Sequence, residues 1–219
     1  MCAIKNALVL AAFCLPAWAC AGGGWQDMPD TLALDAMGDS LRMNGTPMTI
    51  RAFQSTQSAE ALLREVQANW ERNPRHEPVL RSQMQIWTVL NQTVGAQHRS
   101  FQVRTSGTQV DGFVALTSPA DTRTPVLGLR LPAQVESLQV IDSSDQGRVS
   151  QQIVAVSRRS VEATALAFDQ ALKAENWQRD APKKHGSAMR LSANRGSEQF
   201  DAILSGQQSG ALVMISIVK

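Results

Sequence analysis

The sequence predicts an α+β protein made of two tandem ββαβββ units, each an antiparallel sheet with one helix on one face. Three observations lead there. A tryptophan segment occurs twice, as Asn69-Trp70-Glu71-Arg72-Asn73-Pro74-Arg75-His76 and as Asn176-Trp177-Gln178-Arg179-Asp180-Ala181-Pro182-Lys183-Lys184-His185. An amphipathic helical segment precedes each copy, and segments of strand character lie on both sides of it. With 219 residues, 43% of them hydrophobic and 18% charged, the chain can bury a core of ordinary size.

Taken in order, residues 1–21 read as a secretory signal peptide. Lys5 supplies the positive start, residues 7–15 a short apolar run, and Pro16 breaks it before small residues. The run is shorter than the roughly 20 residues a membrane span needs. Two small-x-small cleavage sites overlap, Ala17-Trp18-Ala19 and Ala19-Cys20-Ala21. A lipoprotein reading instead makes Cys20 the lipidated first residue, with Ala21-Gly22-Gly23-Gly24 as a flexible tether. Cys2 and Cys14 fall inside the leader, so the body of the protein has no disulfide and depends on its apolar core.

The first unit spans residues 22–117. A hairpin runs from Ser40-Leu41-Arg42-Met43 through Asn44-Gly45, both tolerant of positive φ, into residues 48–53. A helix then opens at Ser58-Ala59-Glu60. The serine can accept from an orphan backbone N–H, and the glutamate sits at the positive end of the helix dipole. Ala59, Leu62, Leu63, Val66 and Trp70 share one helical face. Strands follow at residues 85–94, 101–105 and 109–117. Pro119, Pro125 and Pro132 mark residues 118–134 as a linker.

The second unit, residues 135–219, has the same order of elements. Residues 137–141 lead through a Ser/Asp/Gly turn to residues 153–156, and Ser160-Val161-Glu162 opens a helix with Val161, Ala165, Phe168 and Leu172 on one face. Its strands are residues 189–194, 199–205 and 211–218. The last is apolar on both alternating sets except at Ser216, as suits a strand inside a sheet. The helical segment is about one turn longer than in the first unit, which keeps the buried stripe on the same side.

Charge narrows the function. Lys plus Arg (21) nearly balance Asp plus Glu (19), a formal charge of +2, and there is no Tyr, so a nucleic-acid binder is excluded on field strength and stacking surface. His76, His98 and His185 are isolated and no cysteine pair exists outside the leader, so no metal and no cofactor is expected. Trp70 and Trp177 read as equivalent core anchors; as exposed aromatics they would instead grip a glycan or peptide. Arg75, His76, Lys183, Lys184 and His185 form two basic loops that suit an acidic partner or a phosphate-bearing envelope molecule. Alternatively they complement the negative end of each helix dipole.

Gly38-Asp39-Ser40-Leu41 resembles the signature of the GDSL hydrolases. The resemblance covers four residues and implies Ser40 as nucleophile, served by a base from a later Asp-x-x-His. No Asp-x-x-His occurs, the family's Gly-x-Asn-Asp block is missing, and the residues after Ser40 read as a hairpin instead of a helix. The function expected is therefore non-catalytic. It is that of an exported, periplasmic protein that binds or scaffolds an envelope or secretion component, without a transmembrane span in the mature chain. A secreted serine esterase using Ser40, and a glycan or small-molecule binder in a cleft between the units, are the alternatives from other classes.

Overall fold

The computed structural model describes Trp25, residues 27–38 and residues 40–219. The signal peptide, Cys20 and Asp39 lie outside the described residues. Along the chain come β1 (Asp35–Ala36), β2 (Ser40–Met43), β3 (Thr46–Ser55), α1 (Ala59–Trp70), β4 (Leu80–Met84), β5 (Trp87–Val94), β6 (Gln97–Ser106) and β7 (Gln109–Thr117). After a single 3-10 turn at Pro119–Asp121 follow β8 (Val135–Asp145), β9 (Arg148–Ser157), α2 (Val161–Ala174), β10 (Gln178–Arg179), β11 (Lys183–His185), β12 (Ala188–Arg195), β13 (Glu198–Gln207) and β14 (Gly210–Val218).

These strands form one antiparallel sheet in the order β10-β12-β13-β14-β9-β8-β2-β3-β7-β6-β5-β4, with β1 added to β3 and β11 to β12. The expected α+β class of two tandem ββαβββ units is thereby corrected: the protein is mostly β, 52% strand and 15% helix. Part of the physical reason lies at the middle of the sheet, where the hairpin strands β2 and β8 pair with each other from Ser40↔Ser144 to Met43↔Ile141. Main-chain groups at a free edge seek a partner, and here each finds the other. Each helix is also followed by more strand than expected. Gln85, at φ 56°, turns residues 80–94 into the hairpin β4–β5, and Gly186, at φ 60°, does the same for β11–β12.

Local chemistry accounts for the elements. Asn44 and Gly45 take φ of 51° and 80°, and Gln146 and Gly147 take 48° and 80°, the two-residue turns that match the twist of antiparallel strands. Ser58 Oγ accepts from the Ala61 N–H and Ser160 Oγ from the Ala163 N–H, both at 3.2 Å, so each helix starts on a serine cap. No helix among the described residues is long and apolar enough to cross a membrane.

Both helices pack on the sheet through separate cores. Leu62, Leu63, Val66 and Trp70 of α1 meet Phe53, Leu90, Phe101 and Val114, and Met28 and Leu32 complete this core. Phe53 stacks on Phe101 with centroids 5.0 Å apart, in space that Gly112 leaves open: a Cβ there would lie 2.2 Å from the Phe53 ring. Val161, Ala165, Phe168, Leu172 and Trp177 meet Ile153, Phe200, Leu204 and Val213, and Leu129 from the 118–134 segment is buried with them.

Candidate functional site

Alternation along each strand sends half of the side chains to the helix cores and half to the opposite face. On that opposite face the register runs unbroken through the middle of the sheet. One row reads Val218, Ser150, Ser143, Leu41, Met48, Thr117, His98, Thr93; the next reads Ser192, Asp201, Ser216, Gln152, Ile141, Met43, Thr46. Among the described residues no helix sits there. Its exposed apolar side chains include Ile203 and Met214, 51% and 54% accessible and paired across β13–β14. Met43, Met48, Ile50, Val154 and Phe113 are partly exposed on the same face.

Three shallow clefts mark this surface. Near the middle, Met43, Met48, Ile50, His98 and Phe113 line about 580 Å³. Towards β5, about 540 Å³ is lined by Trp87, Phe113, Arg104, Asp111 and Gln54. On the β12–β14 side, Val154, Ile203, Met214, Arg190 and Asp201 line about 470 Å³. The Arg190–Asp201 and Arg104–Asp111 charges in these clefts are met locally. Arg190 donates to Asp201 at 2.6 Å, Ser192 Oγ adds a hydrogen bond at 2.8 Å, and Arg104 lies 3.7 Å from Asp111 and over the Trp87 ring at 4.8 Å. The result is a methionine-bearing surface with exposed apolar side chains among neutral polar ones, the kind that adapts to an irregular apolar partner.

The residues singled out from the sequence are scattered around this face. Ser40 opens β2, where it is exposed and paired with Ser144 of β8. His98 is three strands away in the row of Leu41, about 14 Å at the usual strand spacing. Ser40 and Leu41 point to opposite faces, so His98 is on the wrong side as well. His76 lies in the turn after α1 and His185 in β11 at the far edge, so no histidine stands within hydrogen-bond reach of Ser40, the geometry a serine nucleophile requires.

The two basic loops do not converge. Arg75 and His76 precede β4 at one end of the sheet, where His76 Nε2 is 3.0 Å from Asn73 Nδ2. Lys183, Lys184 and His185 form β11 at the other end, all exposed and paired with Arg190, Met189 and Ala188. Trp70 and Trp177 are interior, 0% and 3% accessible, one in each core. Among the described residues no group of three or more His, Cys, Asp or Glu is placed to hold a metal ion.

Sequence reasoning missed most of the open face. A signal was present in β7, where Phe113 and Ala115 lie on one alternating set and Val110 and Val114 on the other, the same two-sided apolar pattern read from the last strand. It missed Arg99 entirely. That side chain is buried against the Trp70 ring at 4.4 Å, holds Gln92 across the β5–β6 hairpin, and reaches Asp27 from a segment far away in the chain.

No family model matches the sequence, and no curated protein matches it. Among solved structures the chain is similar to the apo structure of immunity protein TplEi of T6SS from Pseudomonas aeruginosa. The identity is 10% and the TM-score 0.30, over 88% of this chain and 83% of that one. A likeness of that degree carries no argument about fold or activity.

Proposed function

We propose that this is a non-catalytic binding protein of the cell envelope, exported by residues 1–21, which holds a protein partner against the open face of its sheet. The observation that carries the reading is the set of exposed apolar side chains on the face opposite the two helices, set among serine, threonine and glutamine. Ile203 and Met214 stand half exposed there, beside an Arg190–Asp201 pair whose charges are met within the face. Residues 22–117 and 135–219 act as its two flanks, and residues 118–134 cross between them. The leader pattern supports a periplasmic location, with lipidation at Cys20 as the anchored variant. The separation of Ser40 from every histidine speaks against the esterase alternative.

The test is crosslinking in intact cells, read by mass spectrometry. Ile203→Glu combined with Met214→Lys places two opposite charges, facing each other across β13–β14, in that part of the proposed contact. Recovery of the principal crosslinked protein should fall by about tenfold or more, while the melting temperature shifts by about 2 °C or less because both positions are exposed. Unchanged recovery would sink the open face as the binding surface. Ser40→Ala should leave recovery as it is. If Lys183→Ala with Lys184→Ala abolishes recovery while the open-face variant does not, the contact belongs to the basic β11 edge.

A further inference from the structure

The two ends of the sheet are built differently. At one end, the edge is broken into β10 and β11 by Asp180-Ala181-Pro182, and its outermost residues are Lys183, Lys184 and His185. A proline lacks the N–H that a ladder needs, and consecutive lysines repel an incoming strand, so this edge is guarded. At the other end β4 is five residues without proline, paired among the described residues only to β5 and exposed throughout. Leu80, Met84 and the neighbouring Ile86 are 68%, 63% and 64% accessible. The one charge in β4, Arg81, is already satisfied by two hydrogen bonds to Glu60 of α1, at 3.0 and 2.7 Å. The same contact holds the Glu60 carboxyl below its usual range.

We infer that β4 is a self-association edge, which pairs antiparallel with β4 of a second copy of this chain about a two-fold axis at Ser82. The register follows from the residues. Leu80, Ser82 and Met84 share the open face, opposite Asn91, Val89 and Trp87 of β5, while Arg81 and Gln83 point to the helix side. Centring on Ser82 sets Leu80 against Met84 of the second copy and Arg81 against Gln83, so apolar meets apolar and no like charges oppose. Centring on Arg81 would set two arginines face to face. A shift by one residue would put the leucine against a glutamine of the opposite face. Centring on Gln83 would set Leu80 against Ile86, which lies beyond the strand in the β4–β5 turn, and Ser82 against Met84. The chain already makes a join of this kind internally, at β2–β8, where Arg42 lies opposite Asp142. Because only one end of the sheet is open, association stops at two copies and does not propagate into a filament. This inference stands apart from the open-face reading: a dimer would extend that face without covering it.

Engineered cysteines read the register directly. In the full chain with Cys2, Cys14 and Cys20 changed to Ser, Ser82→Cys under a mild copper–phenanthroline oxidant should yield a covalent dimer on a non-reducing gel, since residues opposed in a ladder lie within disulfide range. Leu80→Cys alone should not, because the two copies of that residue sit about 14 Å apart along the strands. Leu80→Cys with Met84→Cys should crosslink again, and Lys184→Cys should not. In sedimentation, Ser82→Lys should raise the dimer dissociation constant about tenfold or more with the melting temperature unchanged. A Ser82→Cys protein that stays monomeric, crosslinking of Leu80→Cys as strong as that of Ser82→Cys, or crosslinking in cells of Ser82→Cys to a different protein would each overturn self-pairing.

Discussion

Trp70 and Trp177 reach the same end by different routes. Each is buried at the base of one helix core, and each has a guanidinium 4.4 Å above its ring, Arg99 in one case and Arg195 in the other. The backbones differ. Trp70 is the last residue of α1, capped by Glu71 with ordinary right-handed geometry. Trp177 lies beyond α2, after Asn176 at φ 61°, where the Trp177 N–H reaches Leu172 O at 2.9 Å and the Asn176 N–H reaches Lys173 O at 3.1 Å. Those two bonds close the helix in a Schellman motif, with asparagine in the left-handed position. The cations differ too. Arg99 is 2% accessible, with Nε at 2.9 Å and NH2 at 2.5 Å from Gln92 Oε1 and NH1 at 2.6 Å from Asp27. The Arg195 side chain is about a third exposed and pairs with Glu198 and Glu175 near solvent. The tryptophan position is thus preserved by packing, while the cation above it is a buried, fully engaged group on one side and a solvated one on the other.

That contrast is sharpest at Gln92, which is itself buried. Its side-chain N–H groups reach the carbonyls of Trp70 and Glu77 while its oxygen takes two bonds from Arg99. Gln92→Leu leaves two Arg99 nitrogens and the Trp70 and Glu77 carbonyls without their buried partner, while Asp27 still faces the third nitrogen, and should cost about 3 kcal/mol in urea unfolding. A loss below about 1 kcal/mol would show that Arg99 is no more committed than Arg195.

A smaller effect tests the helix ends. Asn176→Ala should destabilise by about 1 kcal/mol because alanine resists positive φ, whereas Asn176→Gly should be neutral or slightly stabilising. The corresponding change at Glu71 has no left-handed residue to disturb and should do neither. Equal costs at the two positions would mean that the Schellman closure is not what holds Trp177.

The smallest effect is the pH response of the exposed pair. Hydrogen bonds from Arg195 and Lys219 hold the Glu198 carboxyl below its usual range. A carboxyl lowered on folding contributes stability above its unfolded pKa and loses it as pH falls through the folded value. The melting temperature of the wild type should therefore exceed that of Glu198→Gln near neutral pH, and the gap should close below about pH 4. A gap that widens on acidification would reverse the assignment.

Several features were legible in the sequence because they are decided within a few residues. The serine caps at Ser58 and Ser160, the Asn44-Gly45 turn and the apolar faces of both helices depend on local dihedral and hydrogen-bond preferences. The turn at Gln85 was not legible, because glutamine carries no strong preference for positive φ and tertiary context imposes it. Of the open face, the pattern in β7 was visible and Trp87, Arg104 and the methionines were not, since no local rule says which alternating set of a two-sided strand the helix will cover.

By itself the sequence determined the two helices, which serine begins each of them, the hairpin turn at Asn44-Gly45, and that a tryptophan would sit beyond or within each helix end. Those are properties of short windows of chain, where side-chain spacing and backbone preference act directly. Only the tertiary structure decided that β2 would join β8 and merge all strands into one sheet, that Arg99 would roof Trp70, and that β4 would be left as the open edge. Backbone N–H and C=O groups are chemically the same at every residue, so an edge strand carries no label naming its partner. The choice is made by which cores, linkers and charges bring two edges together.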